Sequence, residues 1–144
     1  MTKADTVIPS FNFLRTREAE EVIMKHLKVK TMSGFTLAND CETAYATLHM
    51  AGDIDHAKAL TRKFVMRGAC VQLAQCDYVY TGGVESGFTA RVICYPRFPK
   101  TLEDLTHEAV ALGDFLAEEL GQVSFSVETS EKTYYFTHPT YVKK

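Results

Sequence analysis

The centre of the chain reads YVYTGGVESGF from Tyr78 to Phe88, a glycine-rich turn between two apolar runs. The consecutive glycines Gly82 and Gly83 give the backbone access to the positive φ angles that tight hairpin turns need. Apolar and polar residues alternate over 70–80 before the turn and over 88–95 after it. Because a period of two is typical of half-buried strands, the sequence predicts an antiparallel β-hairpin here.

A helix is predicted on each side of this hairpin. Upstream, Asp53 is a good N-cap for a helix over 54–67. Downstream, Thr101 and Asp104 have capping-box spacing at the start of a helix over 101–120. Apolar residues recur at helical spacing in both segments, which predicts one buried face for each helix.

Three further runs complete the pattern. Residues 43–50 alternate and favour a strand, although helical spacing also fits them. Residues 123–128 indicate a half-buried strand, and 134–136 a last short strand. From residue 43 the order is strand, helix, strand, strand, helix, strand, which is the βαββαβ arrangement of ferredoxin-like folds. The sequence therefore predicts an α+β protein whose four-stranded antiparallel sheet carries two helices on one face.

The length of 144 residues predicts a single domain over 1–144, with a ferredoxin-like core over 43–136. Residues 1–42 are interpreted as an N-terminal arm and extension, with a short strand over 11–14 and a helix over 16–28. The second face of the sheet would be bare unless this helix or another subunit covers it. We therefore expect a homo-oligomer.

Composition argues against several classes of protein. A formal net charge of −2 and a pI near 6.2 are not those of a dedicated nucleic-acid binder. No apolar run reaches the roughly 18 residues of a membrane span, and no signal segment opens the chain, so a cytoplasmic protein is expected. The cysteines form no Cys-x-x-Cys pair, so we expect reduced core residues and neither metal nor cofactor. They are Cys41, Cys70, Cys76 and Cys94.

The hairpin also carries the candidate site. Glu85 lies beside the turn, close to Tyr78 and Tyr80, and a carboxylate among aromatic rings can hold a cationic ligand. A solvated glutamate at a hairpin tip fits the same spacing, and cross-strand packing is the common role of such tyrosines. Gly82 and Gly83 would let a ligand approach the main chain.

Polar residues elsewhere give weaker signals. Arg91 could clamp a carboxylate or phosphate, although a lone strand arginine is more often solvated or salt-bridged. Gln122 and Ser124 begin the strand that follows the second helix. Cysteine–histidine catalysis is conceivable, for instance between Cys94 and His49, but nothing in the sequence fixes their proximity.

The segment Tyr80-Thr81-Gly82-Gly83-Val84-Glu85 fits the pattern Tyr-x-Gly-x-x-Glu, and a strand, a long helix and a last strand opening with Gln122 follow it. This succession resembles the small bacteriophage S-adenosylmethionine lyases, which are ferredoxin-like chains that assemble as trimers with the active site between subunits. The resemblance implies cleavage of S-adenosylmethionine to methylthioadenosine and homoserine lactone, without a metal. It assigns catalysis to Tyr80 and Glu85. We expect substrate contacts from Tyr78, Gly82, Gly83, Arg91, Gln122 and Ser124.

A second class of function stays open at this point. A phage origin would also suit a non-catalytic protein that binds and inhibits a host enzyme or defence protein. Tyr78, Tyr80 and Phe98 would then anchor the partner, since aromatic side chains commonly dominate such interfaces. Formation of methylthioadenosine by the pure protein separates the two functions.

Overall fold

The computed structural model of the protein describes residues 31–140. The predicted strand over 11–14 and helix over 16–28 therefore lie outside the described residues. The chain divides into two compact units, Met1–Asp40 and Cys41–Lys144. The second unit begins close to the predicted start of the ferredoxin-like core and contains the helices and strands named below. That the whole chain forms a single domain stays a prediction.

The strands of the second unit form one antiparallel sheet in the order β2-β3-β1-β4-β5. The elements are β1 (Tyr45–Ala51), α1 (Ile54–Phe64), β2 (Gln72–Tyr80), β3 (Gly83–Ile93), α2 (Leu102–Leu120), β4 (Ser124–Thr129) and β5 (Thr133–Thr137). β3 lies between β1 and β2, and β1 lies between β3 and β4, so the two βαβ units are interleaved. The predicted ferredoxin-like fold is confirmed, and β5 adds a fifth strand beside β4.

Both helices pack on the same face of this sheet. Alternate residues of the three central strands point towards them, and each helix contributes one apolar stripe. The buried residues that the sequence spacing predicts include Leu48, Phe88, Ala90, Val92, Val127, Ala57, Leu60, Leu105, Leu112 and Leu116. Each buried leucine contributes roughly 1.5–3 kcal/mol of transfer free energy, so this layer holds the fold together.

The helices begin where their capping residues predict. The Asp53 side chain accepts a hydrogen bond from the first turn of α1. Thr101 and Asp104 form a reciprocal capping box at the start of α2. α1 ends at Phe64 and continues as a 3₁₀ turn over Val65–Arg67, so the helix predicted over 54–67 tightens in its last turn.

The central hairpin is longer than predicted. The sequence places the start of its second strand at Phe88, but β3 begins at Gly83, directly opposite Tyr80. Of the two adjacent glycines, only Gly82 takes a positive φ, of 89°. Thr81 and Gly82 form the two-residue turn. The start of β3 is not visible in the sequence, because its glycines and serine have a low strand propensity. Pairing with β2 stabilises this part of the strand instead.

The cysteines are free thiols, as expected, but none is fully buried. The prediction of a core position is wrong for Cys70, which is exposed after the 3₁₀ turn. No described helix is long and apolar enough to cross a membrane. Between residues 31 and 140, no group of three metal-ligating side chains comes together.

Candidate functional site

The β2–β3 hairpin projects beyond the rest of the sheet. β1 pairs with β3 over residues 87–93, whereas residues 83–86 pair with β2 alone. At about 3.3 Å per residue, the projecting part is roughly 13 Å long. Its tip exposes apolar side chains, with exposed fractions of 79% for Val79, 63% for Val84 and 57% for Tyr80. We call this part, residues 77–86, the hairpin arm.

Glu85 lies within the arm, in β3 rather than at the bend, and stands directly opposite Tyr78. Strand alternation places Glu85, Tyr78 and Tyr80 on the sheet face opposite the helices. We call this the open face. Glu85 is exposed, and its carboxylate has neither a hydrogen bond nor an ion pair with any residue in 31–140. An unpaired carboxylate beside two aromatic rings suits the cationic group of a ligand.

Both tyrosines lie over glycines of β3. A Cβ atom added at Gly83 would stand 2.9 Å from a ring carbon of Tyr80, and one at Gly87 would stand 2.8 Å from a ring carbon of Tyr78. Each ring therefore occupies the space that a side chain on β3 would need. These two positions need glycine because a tyrosine ring lies close to the backbone. Neither glycine adopts a positive φ.

A chain of hydrogen bonds crosses the open face from Tyr78. Its hydroxyl lies 3.0 Å from Nδ1 of His49 and 3.2 Å from the carbonyl oxygen of Phe88. Nε2 of His49 lies 2.8 Å from Oε1 of Glu128. The side chains come from β2, β1 and β4, so Tyr78 reaches across β3 to meet His49. This arrangement joins the base of the arm to the centre of the sheet.

Tyr78 stays a neutral donor in this environment. Burial, and then the neighbouring Cys76 thiol on the same strand, raise the pKa of Tyr78 above the ordinary value of 10.0. The phenol therefore keeps its proton at neutral pH and can donate it to only one acceptor at a time.

Arg91, a predicted substrate contact, lies on the open face but far from Glu85. Six residues of β3 separate the two, which corresponds to about 20 Å along the strand. The Arg91 guanidinium stacks on the ring of Tyr45, 4.7 Å from its centroid. Within one chain, Arg91 and Glu85 are not brought together.

Gln122 and Ser124 lie at the end of the sheet from which the arm projects. Ser124 is the first residue of β4 and pairs with Thr137. Gln122 lines a groove of about 1040 Å³ between α2 and the β4–β5 hairpin. The stacked rings of Phe125 and Phe136 form part of its lining. The groove is on the helix side of the sheet. A Cβ added at Gly52 would stand 3.6 Å from the amide nitrogen of Gln122, and the backbone N–H of Gly52 donates to the carbonyl oxygen of Ser86, the residue after Glu85.

The contacts of His49 with Tyr78 and Glu128 were not predicted from the sequence. There His49 was a candidate partner for Cys94, whose thiol instead donates to the backbone carbonyl of Lys100. The available signal was the alternation of β1, which already puts His49 on the open face with Tyr45 and Thr47. The hydrogen bond between Glu128 and His49 could not be predicted without knowing that β1 pairs with β4.

No protein-family model matches the sequence, and no curated protein matches it significantly. Among solved structures, a phage SAM lyase in complex with S-methyl-5′-thioadenosine is 18% identical, with a TM-score of 0.52, and the match covers 74% of this chain and 100% of that chain. A phage SAM lyase in the apo state is 19% identical over the same shares, with a TM-score of 0.45. The first likeness shows a shared fold.

Proposed function

We propose that this protein is an S-adenosylmethionine (SAM) lyase that forms methylthioadenosine and homoserine lactone. The observation that carries the proposal is the unpaired carboxylate of Glu85, opposite Tyr78 on the open face. The fold shared with a phage SAM lyase in complex with S-methyl-5′-thioadenosine, the thioether product named here, supports it. In this proposal the protein acts in the cytoplasm of a phage-infected cell.

The reaction needs little chemistry from the protein. An oxygen of the substrate's own carboxylate attacks Cγ, the Cγ–S bond breaks, and its electron pair leaves with sulfur as a neutral thioether. No water is consumed and no proton is transferred, so the site has to fold the methionine tail into attack geometry and exclude solvent. A site built from a carboxylate, aromatic rings and bare backbone is sufficient for that task.

The arm supplies the groups that face the substrate. Glu85 anchors the ammonium group of SAM, and the Tyr80 ring stacks near the sulfonium, since aromatic faces attract cations. Tyr78 forms a wall beside them. The open space around Gly82 lets the substrate approach the main chain of the turn, whereas the Tyr80 ring covers Gly83 on the open face.

Assembly as a homotrimer completes this proposal. Arg91 lies about 20 Å along β3 from Glu85 within one chain, so it would reach the same substrate from a neighbouring subunit. Gln122 and Ser124 would line the site at the end of the sheet from which the arm projects. The exposed apolar arm supplies surface that such an interface would bury. Light scattering during gel filtration should give three times the chain mass of 16.2 kDa. A monomer at micromolar concentration would contradict the shared site.

The proposed reaction is tested by its products in heavy-oxygen water. The pure protein is incubated with SAM in H₂¹⁸O and quenched early. Methylthioadenosine and homoserine lactone without ¹⁸O are expected, because the attacking oxygen belongs to the substrate. Homoserine carrying ¹⁸O in its hydroxyl group would identify a hydrolase, since later hydrolysis of the lactone labels only the carboxyl group. Methylthioadenosine at the spontaneous rate would end the enzyme proposal.

One observation favours the second candidate, a protein that binds and inhibits a host enzyme or defence protein. Val79 and Val84 are largely exposed at the tip of the arm, as partner anchors would be. In that case Val79→Ser with Val84→Ser should abolish capture of the host protein while the fold stays intact. An active lyase that captures no host protein would argue against it.

A further inference from the structure

We infer that His49, held by Glu128, is a positioning residue for Tyr78 in the substrate site. This inference rests on the proposed function, and it adds two residues that lie outside the arm. His49 and Glu128 act through Tyr78 and need not touch the substrate themselves.

The geometry holds Tyr78 at two points. Its ring lies over Gly87, where a Cβ would come within 2.8 Å of the ring and 2.5 Å of the backbone oxygen of Met50. Its hydroxyl reaches His49 at 3.0 Å on the far side of β3. The ring therefore bridges β3 and cannot swing outward without giving up the His49 contact. Because Tyr78 stands opposite Glu85, this contact fixes one wall of the proposed site.

The hydrogen bonds hold the hydroxyl in either protonation state of the imidazole. When His49 carries one proton, the Glu128 carboxylate keeps it on Nε2, and Nδ1 accepts from the Tyr78 hydroxyl. When both nitrogens carry protons, Nδ1 donates to the hydroxyl oxygen, and the hydroxyl turns to the carbonyl of Phe88 at 3.2 Å. In both states the oxygen of Tyr78 keeps its place.

The remaining neighbours of His49 on the open face do not form hydrogen bonds with its imidazole. Thr89 and Ser126 stand opposite it on β3 and β4, and both are uncharged. Arg91 stands opposite Thr47, one position further along on the same face, and is stacked on Tyr45. Among the described side chains, Glu128 and Tyr78 thus provide the hydrogen-bonding partners of the imidazole.

Two substitutions separate the contacts of His49. In His49→Asn, the amide nitrogen lies near the position of Nδ1 and can still bond to Tyr78. In His49→Gln, the longer amide reaches towards Glu128 and loses Tyr78. We expect His49→Gln to raise KM for SAM roughly three- to tenfold, the worth of one hydrogen bond, with kcat nearly unchanged. His49→Asn should restore most of the affinity.

A double-mutant cycle distinguishes positioning from general destabilisation. Tyr78→Phe should raise KM as much as His49→Gln, and the double variant should add nothing further, because both remove the same contact. Additive effects, or a His49→Asn variant no better than His49→Gln, would overturn the positioning role.

A readout without turnover keeps the inference testable if the protein proves not to be a lyase. Proton NMR should show the Tyr78 hydroxyl exchanging more slowly in the unsubstituted protein and in His49→Asn than in His49→Gln, where the carbonyl of Phe88 is its remaining acceptor. The signal is identified by its loss in Tyr78→Phe. A hydroxyl that exchanges freely in the unsubstituted protein would overturn the inference, whether or not methylthioadenosine forms.

Discussion

At the scale of single residues, the candidate site depends on two glycines of β3, Gly83 and Gly87. Tyr78 and Tyr80 lie flat against β3 because the residues beneath them are glycines. The sequence predicted that Glu85 would lie close to both tyrosines, since a tight hairpin brings near neighbours in the chain together. It could not predict the bond between His49 and Glu128, because 79 positions separate them and only the pairing of β1 with β4 joins them.

Substitution of Gly87 by alanine should disturb the fold and the site together. The new methyl group would meet the ring of Tyr78 and the backbone of Met50, and overpacking of this kind costs about 1–3 kcal/mol. Urea unfolding measures the loss in the free energy of unfolding. Ser86→Ala, at an exposed position one residue earlier, is the matched control and should change it by less than about 0.5 kcal/mol. Equal stability of the two variants would show that Tyr78 does not need the space above Gly87.

The raised pKa of Tyr78 predicts a loss of stability in alkali. The folded pKa lies above the ordinary 10.0, so the unfolded chain releases this proton first as the pH rises. The contribution of neutral Tyr78 to the free energy of unfolding is complete below pH 10 and falls as the pH rises above it.

Tyr78→Phe cannot lose that proton, so its free energy of unfolding should fall less steeply between about pH 9 and about pH 11. Urea unfolding of both proteins across this range gives the two slopes. Parallel slopes would mean that the phenol is equally solvated in the folded and unfolded chains.

At the scale of elements, capping signals and alternation predicted the helices and the strand faces well. Thr101 with Asp104 and Asp53 carry their caps in the local sequence, so no distant contact decides those boundaries. β3 was predicted to begin at residue 88, too late, because the start of this strand is stabilised by the tyrosines opposite and not by its own residues. The boundaries of a strand are hard to predict from its own residues when pairing with a neighbouring strand stabilises it.

In α2, the effect of a substitution at Gly113 depends on a contact with another element, the ring of Phe125 in β4. A glycine inside a helix costs about 1 kcal/mol relative to alanine, so Gly113→Ala is expected to stabilise an isolated helix. In the folded protein the added methyl group would overlap the ring of Phe125, so we expect a net loss of about 1–3 kcal/mol instead. Thermal unfolding beside Glu119→Ala, an exposed position of the same helix, measures the difference. A raised melting temperature for Gly113→Ala would show that Phe125 moves aside freely.

At the scale of the whole molecule, the ferredoxin-like order of strands leaves one sheet face without a helix in the described part of the chain. The order of elements predicted this, because two βαβ units place both helices on one side. Periodicity could not predict the fifth strand's place beside β4 or the projection of the arm past β1. The open face and the arm give the molecule its candidate site, and the proposed trimer would bring Arg91 of a neighbouring subunit to it.

The proposed reaction depends most directly on the charge of Glu85, which Glu85→Gln removes with little change in the shape of the side chain. The decisive measurement is the rate of methylthioadenosine release from SAM by the two proteins, with Glu119→Gln as the control at an exposed helix position. We predict that the unsubstituted protein and Glu119→Gln release the product at equal rates. Glu85→Gln should lose about a hundredfold in kcat/KM, as loss of a charged hydrogen bond of about 3 kcal/mol to the substrate ammonium would give, with its oligomeric state unchanged. Equal rates for Glu85→Gln and the unsubstituted protein would contradict the account.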